Sequence, residues 1–437
     1  MLKKRVFVPT TGSRSGSAAK YLVACLVTLI SSCGGDDASS GNETVLHSFG
    51  ATSMDGSGPQ VPIQGKDGNF YGTTYGGGAN KLSSGSFSGA TGDGTFYMIT
   101  PAGVETVLYS FGASDVDGLG PVGNVIQASD GNFYGTTVLG GAAGKGTVFK
   151  ITPAGVETVL YSFGTSSTDA INPSNGVIQG TDGNFYGTTG SGGANGTPGY
   201  GTVFMVTPSG VETVLYSFGA SSADGLNPEG GLVQAADGNF YGTTAFGGSM
   251  ADDGPGGTGQ GTVYRITPAG EETVIYIFGT SSSDGYAPTG TLAQDSAGNL
   301  YGTTSNGGST ISGGTLFEVT PAGVETVLHT FNPSSGVDGS APGSVIVGSD
   351  GNLYGTTSAG GAGAGGIVFM ITPAGAESVL YSFGNSGAVA KPGTDGSFPN
   401  GVIQGADGNL YGTTSGGGAS ESSTSTGAGV FFKIALP

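Results

Sequence analysis

Beyond residue 33 the apolar residues never fall at a helical spacing. They come in short runs rich in Val, Ile, Phe, Tyr and Thr, each closed off by Gly, Pro, Asp or Asn. Runs of that length and composition are strands. Four kinds recur. DGNFYGTT and its near copies begin at Asp67, Asp130, Asp182, Asp237, Ala297, Asp350 and Asp407. ETVLYSF-like runs begin at Glu43, Glu105, Glu157, Glu212, Glu272, Glu325 and Glu377, and GTVFKIT-like runs at Gly94, Gly146, Gly201, Gly261, Gly314, Gly366 and Gly429. The fourth kind is GVIQ-like, as at Gly176 to Gln179, and the whole block returns about every 57 residues.

The linkers state how the strands join. Asp182-Gly183-Asn184 is a hairpin turn, because these residues tolerate positive φ. Pro153-Ala154-Gly155 joins third strand to fourth, with proline setting φ early and glycine taking the left-handed position. Each block is therefore a four-stranded antiparallel blade, ordered GVIQ (inner), NFYGTT, GTVFKIT, ETVLYSF (outer). The first run after the leader, Glu43 to Phe49, is an outer strand without partners of its own block, and the last, Gly429 to Ala435, lacks its outer neighbour. A ring in which the N-terminal strand completes the last blade accounts for both and leaves no long sheet edge. The expected fold over residues 43–437 is all-β, a seven-bladed β-propeller; an open solenoid would need capping repeats that the chain does not show.

The succession of YGTT, a glycine-rich loop, GTVFKITPAG and ETVLYSFG resembles the GloVer tandem repeats of choice-of-anchor proteins, over nearly all of Asn42 to Pro437. That resemblance implies an exported protein held by an anchor and brings no activity or site with it. More loosely the pattern is similar to NHL and lactonase-type propellers, whose functions diverge.

The leader agrees with export. Lys3, Lys4, Arg5, Arg14 and Lys20 precede an apolar run, Tyr21 to Ile30, that is too short to span a bilayer. Residues 1–32 read as a lipoprotein signal peptide, since Ile30-Ser31-Ser32-Cys33 resembles a lipobox in which Cys33 is acylated. Residues 33–42 read as a flexible Gly- and Ser-rich tether. Cys25 leaves with the signal, so the mature chain has no thiol for a disulfide. It keeps 7 Lys and Arg against 31 Asp and Glu, a formal charge of −24. Such a surface repels phosphate, which excludes nucleic acid and leaves the lipid anchor as the contact with membrane. The expected address is the bacterial cell envelope, at the outer membrane or cell surface. Glycine, 91 residues in 437, does not signal collagen or disorder here, since no G-X-Y period exists and 18 Tyr and 22 Phe remain to build a core.

Candidate chemistry is sparse. An aspartate stands four residues before a proline in every blade-to-blade linker: Asp55, Asp117, Asp169, Asp224, Asp284, Asp338 and Asp395. Seven carboxylates at the channel mouth would suit calcium; a requirement repeated in every copy suits turn capping better, so calcium is not favoured. Gln64, Gln127, Gln179, Gln234, Gln294 and Gln404 end the inner strands and are candidates for lining the channel or for satisfying backbone groups between inner strands; Val347 breaks the series. Catalysis requires residues that depart from the repeat. His47 and His329 do, but on outer strands, where five blades have Tyr, and only Glu229 adds a carboxylate after an inner-strand proline. No catalytic residue, metal site or cofactor is assigned. The connections between second and third strands vary in length, which suits a functional face and equally a neutral drift of surface loops. The expected protein is a non-catalytic propeller that binds an envelope glycan, peptide or protein through that face. A lactonase- or lyase-type enzyme and a purely structural envelope component are the alternatives.

Overall fold

The structure, a computed structural model, describes residues 42–52, 54–81, 92–248, 259–281, 283–308, 313–384, 395–418 and 427–437. The expected signal segment, Cys33 and residues 33–41 of the tether lie outside the described residues. Among the described residues no helix is long and apolar enough to cross a membrane.

Four strands in chain order make each blade. In blade 2, Gly118–Gln127, Phe133–Gly140, Thr147–Ile151 and Glu157–Ser162 pair successively and antiparallel. Seven such blades form a β-propeller, numbered here from the one that begins at Gly56. The first strand is interrupted just past its proline in several blades, as between Ala170–Pro173 and Ile178–Gln179. Blade 7 is completed by the N-terminal strand: Glu43 lies opposite Ile434 and Ser48 opposite Val430. The ring is closed, and the open solenoid is excluded.

The recurrent YGTT holds the ring together residue by residue. Its tyrosine lies over the second strand of the next blade, Tyr134 on Phe185 at 4.0 Å and Tyr186 on Phe240 at 4.1 Å between ring centroids. The same phenol donates to the aspartate of its own hairpin, Tyr186 to Asp182 at 2.7 Å. In blade 5 Asp295 takes that role, two residues before the Ala297 that replaces the usual aspartate. The glycine is expected from the sequence to leave room for a neighbouring blade's aromatic. Instead the ring above it comes from the third strand of its own blade: a Cβ on Gly187 would stand 2.5 Å from Phe204 Cζ. That ring then meets Phe163 of the preceding blade at 4.9 Å. Cross-strand pairing puts the two residues face to face, and only a bare backbone admits both.

In every blade but the first, where Thr73 Oγ1 is buried without a partner, the first threonine donates to a carbonyl of the next blade's inner segment, as Thr136 to Asn175 at 2.7 Å and Thr303 to Gly343 at 2.7 Å. The second threonine bonds the opening threonine of the third strand, Thr189 to Thr202 at 2.8 Å. The core accordingly lies between blades. One cluster combines Tyr134, Val148 and Phe163 of blade 2 with Val177, Phe185 and Phe204 of blade 3, all buried. With no blade able to bury its faces alone, stability is a property of the closed ring.

Candidate functional site

The linker aspartates do not form a ring at the channel mouth. Each linker turns back on the strand it has just left, and the carboxylate is bound there. Asp117 Oδ2 accepts from Tyr109 Oη at 2.7 Å and from the amide of Ala113 at 2.8 Å, while Oδ1 faces the amide of Gly118. Asp169, Asp224, Asp284 and Asp395 take the same phenol bond from Tyr161, Tyr216, Tyr276 and Tyr381. Asp55 accepts from Ala51 and Gly56, and Asp338 from Asn332 and Gly339. These tyrosines are on fourth strands, the outermost of each blade, so the aspartates sit at the rim, six of them buried and Asp395 half-buried. A β-bulge in every fourth strand, as between Val159 and Tyr161, turns the ring toward its aspartate. Replacing Asp224 by Ala, which strands the Tyr216 hydroxyl and the Ala220 amide, is expected to cost about 1–3 kcal/mol of unfolding free energy, and Asn less, since it still accepts. Denaturant unfolding of the two variants checks this.

A second carboxyl faces each of these aspartates from the neighbouring blade. It is the opening glutamate of the next fourth strand: Glu105 faces Asp55, Glu157 Asp117, Glu212 Asp169, Glu272 Asp224, Glu325 Asp284, Glu377 Asp338 and Glu43 Asp395. One oxygen of each glutamate is buried without a hydrogen bond. Burial, and then the facing aspartate, push Glu105 and Glu157 up to about 8 and the other five up to about 7. The sequence does not reveal these pairs, because the partners belong to different repeats, Glu43 and Asp395 to opposite ends of the chain, and meet only where two blades touch.

In two blades a histidine replaces the tyrosine. His47 Nε2 stands 3.9 Å from both Asp55 and Glu105, and His329 Nε2 stands 3.6 Å from Asp338 and 3.8 Å from Glu377. These are the sets of three His, Asp and Glu ligand atoms that converge among the described residues.

The inner-strand glutamines do not present free amides to the channel. Gln64, Gln127, Gln179, Gln234, Gln294 and Gln404 each donate to the glycine carbonyl of their own hairpin, at 3.0–3.3 Å. In five of them the amide oxygen accepts a backbone amide from the preceding blade, as Gln179 does from Ser129 at 2.9 Å. They lie on the tight-turn face and staple blade to blade. At the inner strands the polar groups bond one another across blades: Thr291 Oγ1 accepts from the Gly231 amide at 3.0 Å and from Asn175 Nδ2 at 3.4 Å, and the Thr291 amide donates to Ser344 Oγ at 3.0 Å.

The opposite face carries the long connections and, among the described residues, the exposed aromatics Phe246, Tyr286 and Phe398, at strand ends beside the connections. Phe398 is the notable one. It precedes the inner-strand proline, where the backbone is left-handed at φ 57°; the other blades meet the same demand with Gly58, Gly120, Asn172, Asn227, Ala287 and Ala341. A bulky residue there is strained and leaves its ring 44 % exposed.

The geometry defines a closed, rim-stapled propeller with one decorated face. The sequence pattern of the Gloeobacter/Verrucomicrobia repeat matches residues 82–255 and 249–437, and the chain belongs to that family. Among curated proteins no sequence matches. Among solved structures, streptogramin B lyase is similar at 15% identity and a TM-score of 0.57, covering 90% of this chain and 97% of its own. Virginiamycin B lyase from Staphylococcus aureus is similar at 14% identity and a TM-score of 0.55, covering 90% and 98%. At such identity the likeness establishes the fold alone.

Proposed function

We propose that this protein is an exported, non-catalytic binding scaffold, lipid-anchored through Cys33 at the bacterial cell envelope, that takes a glycan, peptide or protein partner on its loop-bearing face. The observation that carries this reading is Phe398. The left-handed position before the inner-strand proline is filled elsewhere by small or turn-prone residues, Gly58, Gly120, Asn172, Asn227, Ala287 and Ala341, so an exposed aromatic ring there costs stability, and strain of this kind is retained where the side chain has work to do at a surface. Phe246 and Tyr286 add aromatic surface to the same face, and aromatic rings are effective partners for sugars and peptides alike. The strongly acidic chain favours neutral or basic partners.

Lyase chemistry is the competing reading, raised by the fold likeness. A histidine-to-alanine variant of virginiamycin B lyase, crystallised with quinupristin, is described as catalytically inactive. This chain has two histidines, both on outermost strands against rim carboxylates, which speaks against a corresponding role.

The test compares wild type with Phe398→Gly on glycan and peptide arrays, with alkyne fatty-acid labelling of wild type and Cys33→Ala for the anchor. Glycine should relieve strain and raise stability by about 1 kcal/mol while lowering affinity for the array hit at least tenfold. Equal affinity in the two proteins would overturn the assignment of the face, and an unlabelled wild type that of the anchor.

A further inference from the structure

Two of the seven rim clusters have a donor set that the other five lack. We propose that His47–Asp55–Glu105 and His329–Asp338–Glu377 are two binding sites for a divalent first-row transition cation, of which zinc is the representative.

The two clusters arise from the same exchange at the same place in the repeat. Histidine stands where five blades have tyrosine, while the aspartate and the neighbouring blade's glutamate are kept. In the tyrosine blades the phenol donates a proton to the aspartate at 2.7–2.9 Å, and that oxygen is satisfied. In the histidine clusters Nε2 is shielded from solvent and makes no hydrogen bond, and it stands beside a glutamate that, as in every blade, has one oxygen buried without a hydrogen bond. In each set the aspartate oxygen keeps its backbone amide, while the imidazole nitrogen has lost water without gaining a partner and faces two carboxylates, which is the residue pattern of a cation site.

Distances agree. Within each set the ligand atoms lie inside 4.8 Å of one another, with the imidazole nitrogen 3.6–3.9 Å from the carboxylate oxygens. Coordination bonds of about 2.0–2.2 Å place the ligands of one metal roughly 3.3–3.6 Å apart, so the imidazole-to-carboxylate gaps need shifts of a few tenths of an ångström and the widest pair a rotamer adjustment of about one ångström to close on an ion. Charge agrees as well, since two carboxylates and a neutral imidazole balance a divalent cation. An imidazole among the donors selects zinc and its neighbours over calcium or magnesium, which prefer oxygen throughout.

Access and consequence follow from position. The first set opens into a pocket of about 470 Å³ shared with Ala51, Thr52 and Met54, which leaves room for water or a small anion as a further ligand. Each set spans a seam, blade 7 to blade 1 for the first and blade 5 to blade 6 for the second. A bound cation therefore staples neighbouring outer strands, and one of the two staples holds the strand that closes the ring.

Untagged protein, stripped with chelator and dialysed, is titrated with Zn²⁺ by calorimetry alongside His47→Tyr, His329→Tyr and the double variant. Tyrosine restores what five blades already hold, so these variants are expected to fold, and their metal-free melting curves verify it. Wild type should bind two more zinc ions than the double variant, each single variant should lose one, and zinc should raise the melting temperature of wild type only. Zinc bound elsewhere cancels in the difference. A second measurement needs no variant: with two histidines in the chain, zinc should protect both from diethyl pyrocarbonate. Equal zinc stoichiometry in wild type and double variant, or unprotected histidines at saturating zinc, would overturn the proposal.

Discussion

A chain lacking residues 43–49 is expected to aggregate and to lose more stability than any single substitution would cost. The deletion leaves Val430–Ile434 as an unpaired edge, with Phe431, Phe432 and Ile434, all fully buried in the intact ring, adjoining the gap. An exposed apolar edge is a template for intermolecular pairing. It also removes Phe49, which is fully buried and lies 5.1 Å from Tyr97 across the seam. Loss of that side chain alone is worth about 3–5 kcal/mol. Because each blade buries its faces on its neighbours, the damage spreads to the first blade as well as the last. Size-exclusion chromatography and thermal unfolding check this, and a monomeric deletion variant with an unchanged melting temperature would refute the role given to the strand.

The second large effect is a stability maximum on the acid side of neutrality. Seven rim glutamates have folded-state pKa values of about 7 or 8, pushed up by burial and then by the facing aspartate, against 4.5 unperturbed. The folded chain thus holds protons that the unfolded chain releases. The contribution is complete below pH 4.5 and is lost as pH rises through 7 to 8. The hairpin aspartates act in the opposite sense. Burial raises them, but hydrogen bonds from tyrosine and asparagine outweigh it, leaving Asp67, Asp182, Asp237, Asp295 and Asp350 below the ordinary value. Asp130, held also by Lys150, falls to about 2. Their contribution is present above pH 3.8 and is lost as pH falls. The melting temperature in chelator is therefore expected to peak near pH 5 and to lie at least roughly 5 °C lower at pH 9. Glu157→Gln, which fixes the neutral form, should raise the melting temperature at pH 9 and leave it unchanged at pH 5. General repulsion in an acidic chain would not single out one glutamate in that way, and a flat profile between pH 5 and pH 9 would refute the coupling.

What is local and repeated can be read from the chain alone. Alternating apolar runs, DGN and PAG turns and the offset of the two chain ends specify strands, hairpins, seven blades and the manner of closure, because each depends on neighbours within one block or on a count of blocks. Glycine before Phe or Tyr on the facing strand follows from the same logic only in part: the need for bare backbone is visible at Gly187, but Phe204 as its occupant is decided by cross-strand register. Where the repeated polar residues point depends on how one blade packs against the next. An aspartate four residues before a proline is compatible with the axis or the rim, and the turn of the linker back onto Tyr109 places Asp117 at the rim. Gln179 is equally compatible with the channel or a staple, and the amide of Ser129 in the preceding blade makes it a staple. Glu105 and His47 belong to different repeats, and nothing in either repeat announces that they meet. Packing one blade against the next creates those contacts, so the chemistry of the rim is a property of the closed ring and is absent from any single copy of the repeat.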